Sequence, residues 1–338
     1  MNRLTITNDS GVNMFVLGMD IGYSNLKLAF GESGRPPHTV LYPAGAAPSG
    51  YISQSILSGK SSGGFRVKVG NEDYIAGVEQ SSIDGWTRIL SSDYPFTDDY
   101  KALFYAALMA TERDEIDKIV TGLPVEQAID GPYKAKLESY LCGKHEIAPG
   151  RFVNVKSVSV IPQPVGAFID YMMQCDDPRI VQASRVLVID PGFFSTDYCV
   201  IDRGNFDKSS SDSSQDAMSV LLEEAGRLIT IDTGRPFDLA TLEDAVRGDR
   251  MVPVFGEMKD LNLYLDLAAG NVSENVMKSV KQKMRRSRIQ GADFVLLAGG
   301  GAEHYKDAAA KIMEGSKVVL GEEPVLANAR GFFGFGQE

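Results

Sequence analysis

A repeated segment constrains the fold of this chain more than any other feature of the sequence. Residues 16–30, VLGMDIGYSNLKLAF, align with residues 186–200, VLVIDPGFFSTDYCV. Each copy is an apolar run that ends in Asp, followed one residue later by Gly, an aromatic residue, a polar turn and a second run. Such a pattern predicts a β-hairpin. The copies are too far apart for a solenoid, so we expect two similarly folded halves that face each other.

The two hairpins combine the residues that an anion site needs. Asp20 and Asp190 end the first strands, and Gly22 and Gly192 follow, where the missing Cβ lets a ligand approach the backbone. The turns offer N–H groups to a phosphate, and two aspartates at one point suit a hydrated divalent metal. One such hairpin alone would be ordinary turn chemistry. The pair predicts a clamp for a polyphosphate and its cation.

A run of three glycines follows the buried strand predicted over residues 294–297. Gly299, Gly300 and Gly301 leave the backbone bare, so that a flat base or ribose can lie against it. The sequence has no GxxxxGK[ST] motif, which excludes a P-loop enzyme. It also lacks a strand–GxGxxG–helix unit, which argues against a dinucleotide site.

Length and charge limit the partners of this chain. The 338 residues are enough for two domains, and the net charge is −11. An acidic chain has no broad footprint for nucleic acid, so we expect no direct binding and place any link to DNA on an adaptor or a local basic patch. A candidate patch surrounds Lys281, Lys283, Arg285, Arg286 and Arg288, although a solvated helix face is the simpler interpretation.

The sequence predicts a cytoplasmic protein. Its three cysteines are scattered, as is typical of a reducing compartment. We expect no membrane contact, because no apolar run reaches the roughly 20 residues of a membrane span.

Hydrophobic periodicity predicts the remaining elements. Helices are expected over residues 97–110, with Thr97 as N-cap, and over 132–141, 164–174, 215–229, 239–246, 258–286 and 306–313. Further strands are expected over 65–69, 118–121, 154–161 and 294–297. Residues 31–64 are rich in Gly, Pro and Ser and predict a mobile loop with some strand near 39–41. Residues 179–185 are expected to form a polar junction.

Five segments of the sequence resemble the actin-like ATPases and follow the order of that superfamily. They are Asp20-x-Gly22-x-Ser24-Asn25-x-Lys27, residues 161–167, Asp190-x-Gly192 with Ser195, Thr196 and Asp197, residues 296–302, and residues 328–331. The first of these and residues 120–124 are similar to the plasmid-segregation (ParM/StbA) branch. One departure is the bulky pair Phe193 and Phe194, where the second loop of the family usually has smaller residues.

The resemblance implies an α/β, actin-like (ribonuclease-H-like) fold of two domains with a nucleotide cleft between them. Each domain would contain a five-stranded mixed sheet. Residues 14–163 and 324–338 would form domain I, with the mobile insertion 31–64, and residues 164–323 would form domain II. The helix from Pro164 and the segment from Pro324 would cross between the domains as hinges.

The resemblance also implies the site and its ligands, ATP (or GTP) and Mg²⁺. Asp20 and Asp190 would hold the metal. Gln163 and Asp190 would be catalytic, Gln163 by orienting the attacking water. The implied nucleotide contacts are Gly22, Tyr23, Ser24, Asn25, Lys27, Gly192, Ser195, Thr196, Gly299, Gly300, Gly301 and Glu303, with Glu223, Glu224 or Arg227 as further ribose or base contacts. Two alternatives stay open: Lys27 as a solvent-facing strand lysine, and Gln163 as a helix-start residue that bonds nearby backbone.

The function that follows from the resemblance is that of a bacterial actin-like ATPase. It would polymerise head to tail into nucleotide-dependent filaments, hydrolyse ATP slowly, and segregate plasmid DNA through a DNA-binding adaptor. The 31–64 segment would be either a polymer contact or a plain linker.

Two other functions remain open on the same fold. A small-molecule (sugar-type) kinase would need an acidic pocket, for which Asp93, Asp98 and Asp99 are candidates. A non-hydrolysing FtsA/PilM-like scaffold would need a membrane anchor. The tail residues Phe332, Phe333 and Phe335 are too few for an anchor, so we expect them to pack into domain I.

Overall fold

The computed structural model describes residues 14–53, 63–86, 91–214 and 217–338. The first half of the chain is built on a five-stranded sheet with the strand order β11-β8-β1-β2-β3. In chain order its elements are β1 (Phe15–Ile21), β2 (Asn25–Glu32), β3 (His38–Pro43), β4 (Gly45–Pro48), β5 (Phe65–Val69), β6 (Glu72–Val78), α1 (Asp98–Ala110), β7 (Glu115–Ile116), β8 (Lys118–Leu123), α2 (Val125–Ala128), α3 (Gly131–Leu141), β9 (Gly143–Ala148), β10 (Arg151–Val155) and β11 (Val158–Pro162).

The second half repeats this plan in a sheet with the order β14-β13-β12-β17-β18. The remaining elements are α4 (Gln163–Gln174), α5 (Pro178–Ala183), β12 (Arg185–Pro191), β13 (Thr196–Asp202), β14 (Asn205–Ser214), α6 (Met218–Thr233), α7 (Leu239–Arg247), β15 (Met251–Val254), β16 (Glu257–Asp260), α8 (Asn262–Arg286), β17 (Phe294–Leu297), α9 (Ala302–Ile312), β18 (Lys317–Leu320) and α10 (Ala327–Gly336).

The two sheets share one topology, which confirms the prediction of two similar halves. In each sheet an antiparallel hairpin, β1–β2 or β12–β13, has a parallel strand on one side and a third antiparallel strand on the other. The registers are also equivalent. Asp20 pairs with Lys27 in the first hairpin, and Asp190 pairs with Asp197 in the second. Asp20 and Asp190 therefore occupy equivalent positions in the two sheets, near the turn of each hairpin.

Helices α4 and α10 pack against each other through glycines. A Cβ on Gly331 would lie 1.7 Å from the carbonyl oxygen of Gly166, and a Cβ on Gly18 of β1 would lie 2.2 Å from that of Ala329. Only glycine permits these backbone approaches. Phe332 and Phe333 of α10 are fully buried, which confirms that the tail packs inward. The predicted domain boundary coincides with the start of α4, and the division of the chain into 14–163, 324–338 and 164–323 stays a prediction.

The structure corrects the prediction of a loop over residues 31–64. Strand β3 pairs with β2 from His38 to Pro43, and β4 pairs with β6, so the described part of this segment belongs to two sheets. The prolines that suggested a loop stand at strand ends or in the turn before β3, where no ladder hydrogen bond is lost. Residues 54–62 lie outside the described residues.

Other corrections concern element boundaries. The strand predicted over 154–161 is two strands in different sheets, β10 and β11, with a break at residues 156 and 157. The polar junction at 179–185 is mostly helix α5, which begins because the Asp177 side chain accepts a hydrogen bond from the Arg179 backbone. Strand β16 precedes α8 in the region predicted as one helix, and α9 begins at Ala302. Residues 215 and 216, the predicted start of α6, are outside the described part.

One smaller expectation is met, and the predicted basic patch is partly used within the fold. The Thr97 side chain caps α1 by accepting a hydrogen bond from the Tyr100 backbone. Of the basic cluster on α8, Lys281 binds the carbonyl of Ile312 and Lys283 forms an ion pair with Asp212, so two of its charges are used within the fold. Among the helices that the structure describes, none has both the length and the apolar character required to cross a bilayer.

Candidate functional site

The two hairpin turns are closed by the same backbone hydrogen bond. The N–H of Gly22 donates to the Asn25 carbonyl at 3.0 Å, and that of Gly192 donates to the Ser195 carbonyl at 2.8 Å. A Cβ on Gly192 would come within 2.9 Å of the Ser195 carbonyl oxygen, so the second turn depends on glycine.

Both turns face one cavity of about 190 Å³. Most of the predicted site residues line it: Asp20, Gly22, Tyr23, Ser24, Asn25, Lys27, Gln163, Asp190, Gly192, Ser195 and Gly300. They come from β1, β2, α4, β12 and the loop after β17, which are far apart in the sequence. The fold therefore brings the repeated motifs of both halves to one place.

Asp20 and Asp190 meet across the cavity through one amide. Their side chains are buried, with 1% and 6% exposure, and Nδ2 of Asn328 donates to Asp190 Oδ2 at 2.6 Å and lies 3.5 Å from Asp20 Oδ2. Lys27 Nζ lies 2.8 Å from Asp20 Oδ2, and Gln163 Nε2 donates to Asp20 Oδ1 at 3.2 Å. The amide of Gln163 thus bonds a carboxylate at the centre of the site and not nearby backbone.

Lys27 is a charged group of the cavity and not a solvent-facing strand lysine. Burial by itself lowers the pKa of its ammonium, but the carboxylates of Asp20 and Asp190 outweigh this effect and raise the pKa above its usual range. The lysine therefore keeps its proton and places positive charge beside both aspartates.

Asp197 is a third carboxylate in the same cavity. It is buried opposite Asp190 on the second hairpin and accepts hydrogen bonds from Ser195 Oγ at 3.0 Å and from Ser213 Oγ. Burial and the charge of Asp190 raise the pKa of Asp197 to about 6, although the two serine hydroxyls act in the opposite direction. Burial and Asp20 likewise raise the pKa of Asp190. The cavity therefore holds three buried aspartates, and Lys27 forms its ion pair with Asp20.

This donor set fits a small hard cation. The side-chain oxygens of Asn25 and Asn328 are buried and have no hydrogen-bond partner, and both residues line the cavity beside the carboxylates. Carboxylate and amide oxygens are the ligands that Mg²⁺ prefers, and Mg²⁺ usually keeps several waters and takes few protein ligands. The described residues contain no cluster of three or more His, Cys, Asp or Glu side chains that could hold a metal ion.

Aromatic rings join the two turns. The Tyr23 ring stacks on Tyr94 with centroids 4.5 Å apart and meets the edge of Phe194 at 5.3 Å. Phe194 in turn contacts Phe193 at 4.8 Å, and Phe193 packs against the core around α6 and α8. The bulky pair is thus accommodated by turning one ring toward the core and the other toward the first hairpin.

Four predicted contacts do not line the cavity. Thr196 is fully buried with its hydroxyl 3.3 Å from that of Tyr305, and Glu303 is exposed on α9. Gly299 and Gly301 are not among the lining residues, and both are closely packed. A Cβ on Gly299, whose φ is +75°, would lie 2.0 Å from Asp190 Oδ1. Their roles as nucleotide contacts stay predictions.

The further ribose or base candidates on α6 do not line the cavity either. Glu224 and Arg227 pair with each other at 2.7 Å, as surface residues of a helix commonly do.

The sequence analysis missed Arg247 of α7. Its guanidinium lines the cavity and donates to Ser24 Oγ at 3.1 Å. The available signal was Glu243 four residues before it, which by itself indicates only a surface pair on a helix. Asp197 and Asn328 were noted in motifs, but the sequence could not show that both lie beside Asp190.

Comparison with known proteins agrees with this geometry. Residues 18–166 match the family model described as the N-terminal domain of actin-like proteins. The structure of an archaeal actin homologue superposes on 96% of this chain and 99% of its own, with a TM-score of 0.74 and 18% identity. Residues 18–166 are therefore an actin-like N-terminal domain, and the chain has the actin-like fold. This confirms the predicted fold class.

Two further structures share the actin-like fold of this protein. A 15-stranded ParM filament from Clostridium botulinum gives a TM-score of 0.70 at 20% identity and covers 96% of this chain and 99% of its own. The archaeal homologue in complex with ADP gives 0.71 at 19% identity, with 95% and 98% covered. At these identities the likeness establishes the fold alone. No curated protein sequence matches the chain.

Proposed function

We propose that this actin-like protein binds and slowly hydrolyses ATP with Mg²⁺, and that the nucleotide controls its head-to-tail assembly into filaments that segregate plasmid DNA. The observation that carries the proposal is the meeting of Asp20 and Asp190, from two matching hairpins, on the amide of Asn328. A site shared between halves links what is bound to how the halves stand relative to each other.

The hairpins would hold the phosphates of the nucleotide. Backbone N–H groups of the two turns, the Ser24 hydroxyl and the Lys27 ammonium would supply donors and positive charge to the phosphates. Asp20 and Asp190, with the unpaired oxygen of Asn328, would hold Mg²⁺, largely through its waters. When bound, the cation would offset the negative charge that these carboxylates and the phosphates share.

Gln163 and Asp197 are the residues best placed to act on a water. An amide such as that of Gln163 can orient a water but cannot take its proton. Asp197 can take it, because a carboxylate with a pKa raised to about 6 is ionised at neutral pH and still basic enough to accept a proton. This division of roles suits slow hydrolysis, which would time disassembly.

Surface features support assembly. The exposed large apolar side chains include five on the α6–α8 part of the second half: Ile231, Phe255, Met258, Leu263 and Leu267. Phe255 stands at the tip of the β15–β16 hairpin with 76% exposure and a φ of +47°, a conformation that costs energy for a bulky residue. Exposed apolar groups in one region mark interaction surfaces, and head-to-tail contacts that do not close produce filaments.

The plasmid role and the adaptor rest on the resemblance to the ParM/StbA branch and on the net charge of −11, which leaves DNA binding to a partner. A cytoplasmic location belongs to the same proposal.

Assembly assays with different nucleotides test the proposal. Light scattering and sedimentation would be measured with ATP, a non-hydrolysable analogue and ADP, together with phosphate release. We expect assembly with ATP and the analogue but not with ADP, and phosphate release that follows assembly. Assembly without phosphate release would favour a scaffold, phosphate transfer to a sugar in a substrate panel would favour a kinase, and no response to any nucleotide would contradict the proposal.

A further inference from the structure

One arginine of the second half binds two groups of the first half. Arg247, the last residue of α7, donates from Nη1 to Ser24 Oγ at 3.1 Å and from Nη2 to Glu79 Oε2 at 2.6 Å. Ser24 belongs to the first hairpin turn, and Glu79 precedes a short helical turn whose Gln80 side chain donates to the Tyr23 carbonyl at 2.8 Å. Arg247 therefore attaches α7 to the first hairpin and to the segment that supports it.

The same guanidinium also has partners on its own helix. Nη1 donates to Glu243 Oε1 at 2.7 Å, and Nη2 donates to Asp244. Glu243 is buried, with 3% of its side chain exposed, whereas the Glu79 side chain is 45% exposed. If the halves move apart, Arg247 keeps Glu243 and Asp244, and Glu79 turns to water. Neither half is left with a buried, unpaired charge, which is the large cost of breaking most buried ion pairs.

The charges also favour exchange of partners. One guanidinium faces three carboxylates, and burial together with repulsion from Asp244 raises the pKa of Glu79 even though Arg247 lowers it. The Nε–H of Arg247 is buried and lacks a hydrogen-bond partner, in a side chain that lines the cavity. An Arg fork can bind a new anion with one edge while it keeps its helix partners with the other. The Arg247–Glu79 ion pair is thus formed in this structure but can exchange easily for another anion.

We propose that the Arg247–Glu79 ion pair is a reversible latch between the two halves, which keeps the cleft closed at rest and sets how fast a bound nucleotide leaves. The part that concerns nucleotide rests on the proposed function, whereas the resting closure does not. A latch of this kind acts by shifting the balance between an open and a closed state.

The test compares two substitutions that each remove one carboxylate from the same guanidinium nitrogen. Glu79→Gln removes the partner on the opposite half, and Asp244→Asn removes the partner on the same helix. Neither side chain is among the predicted site residues. Small-angle scattering of the nucleotide-free proteins measures closure, and stopped-flow release of a fluorescent ATP analogue with Mg²⁺ measures residence.

We expect Glu79→Gln to increase the radius of gyration and to speed release about 5-fold, the effect of losing one partly exposed ion pair, while Asp244→Asn behaves like the unsubstituted protein. Equal behaviour of the two variants, or no change in either, would overturn the latch. If the unsubstituted protein binds no ATP analogue, the proposed function fails, and the scattering comparison still decides whether the halves are latched.

Discussion

The two hairpins at the centre of this protein have equivalent backbone pairing but carry different charges. In the first, Asp20 stands opposite Lys27, and the two side chains form an ion pair. In the second, Asp190 stands opposite Asp197, two buried acids at the same register position. The comparison shows that the same hairpin occurs twice. The copies differ in the residue that pairs with the aspartate across the strands, which is a lysine in the first and an aspartate in the second. Under the proposed function, the positive charge of the first hairpin would serve the phosphates, and the negative charge of the second would serve a cation and a proton.

Neutralising Asp190, the acid that the Asn328 amide connects to Asp20, should have the largest effect. Asp190→Asn keeps the shape but replaces the carboxyl group beside the Asn328 amide with a neutral amide. We expect Mg²⁺-dependent phosphate release to fall by about 100-fold or more. Melting curves of the variant control for folding, and unchanged turnover in a folded variant would remove Asp190 from the mechanism.

Replacing Lys27 tests the role given to the first hairpin. Lys27→Met keeps much of the apolar stem and leaves Asp20 and Asp190 without their cation. Because this breaks a buried pair, we expect a loss of about 3 kcal/mol in the free energy of unfolding without ligand. Added Mg²⁺ should recover more stability in this variant than in the unsubstituted protein, as denaturant titrations with and without Mg²⁺ would show. Equal recovery in both would argue against a shared cation site.

Asp197→Asn tests whether the second hairpin handles a proton. In the unsubstituted protein, turnover should rise through about pH 6 as Asp197 ionises. In the variant this step should vanish and turnover should fall about 10- to 100-fold. A pH profile of phosphate release measures both effects. A variant that keeps the step would assign it to another group.

Asp197→Asn should lower turnover but should stabilise the fold at neutral pH. The fold raises the pKa of Asp197 from 3.8 to about 6, so the folded state favours the protonated acid. Its contribution is complete below about pH 4 and is lost as the pH rises through about 6. In the absence of metal, Asp197→Asn should therefore raise the melting temperature by a few degrees at pH 7.5 relative to pH 4. A shift of the opposite sign would contradict the raised pKa.

The smallest expected effect concerns the ring contact between the hairpins. Phe194→Leu removes the ring contacts with Tyr23 and Phe193 and keeps an apolar side chain of somewhat smaller volume. We expect a loss of about 1 kcal/mol in stability. Tyr23→Leu should cost more, because it removes two ring contacts and also the hydrogen bond that the Tyr23 hydroxyl donates to the Ser91 carbonyl. Denaturant titrations compare the two variants, and equal losses would place the aromatic stabilisation elsewhere.

Much of the site could be predicted because it is encoded locally. The positions of Asp20, Gly22, Asp190 and Gly192 follow from strand, turn and strand, and two copies in register indicate convergence. The predictions of element boundaries were wrong where a polar or proline-rich segment forms a strand by pairing with an adjacent strand. Strand β14, with its serines and aspartates, is an edge strand whose hydrogen bonds come from β13.

The residues that were missed act between distant segments. Arg247 reads as a helix surface residue until α7 is placed beside the first hairpin. The raised pKa of Asp197 depends on burial and on its distance from Asp190, and neither is visible in a sequence. Tertiary context of this kind cannot be recovered from periodicity.

The claim that the two hairpins form one site is tested most directly by calorimetric titration of Mg²⁺–ATP. The proteins compared would be the unsubstituted chain, Asp20→Asn, Asp190→Asn and the double variant. Residues that act on one ligand as a unit give non-additive losses. We predict that the double variant loses about as much binding free energy as either single variant. Losses that add, or binding that survives both substitutions, would contradict the account.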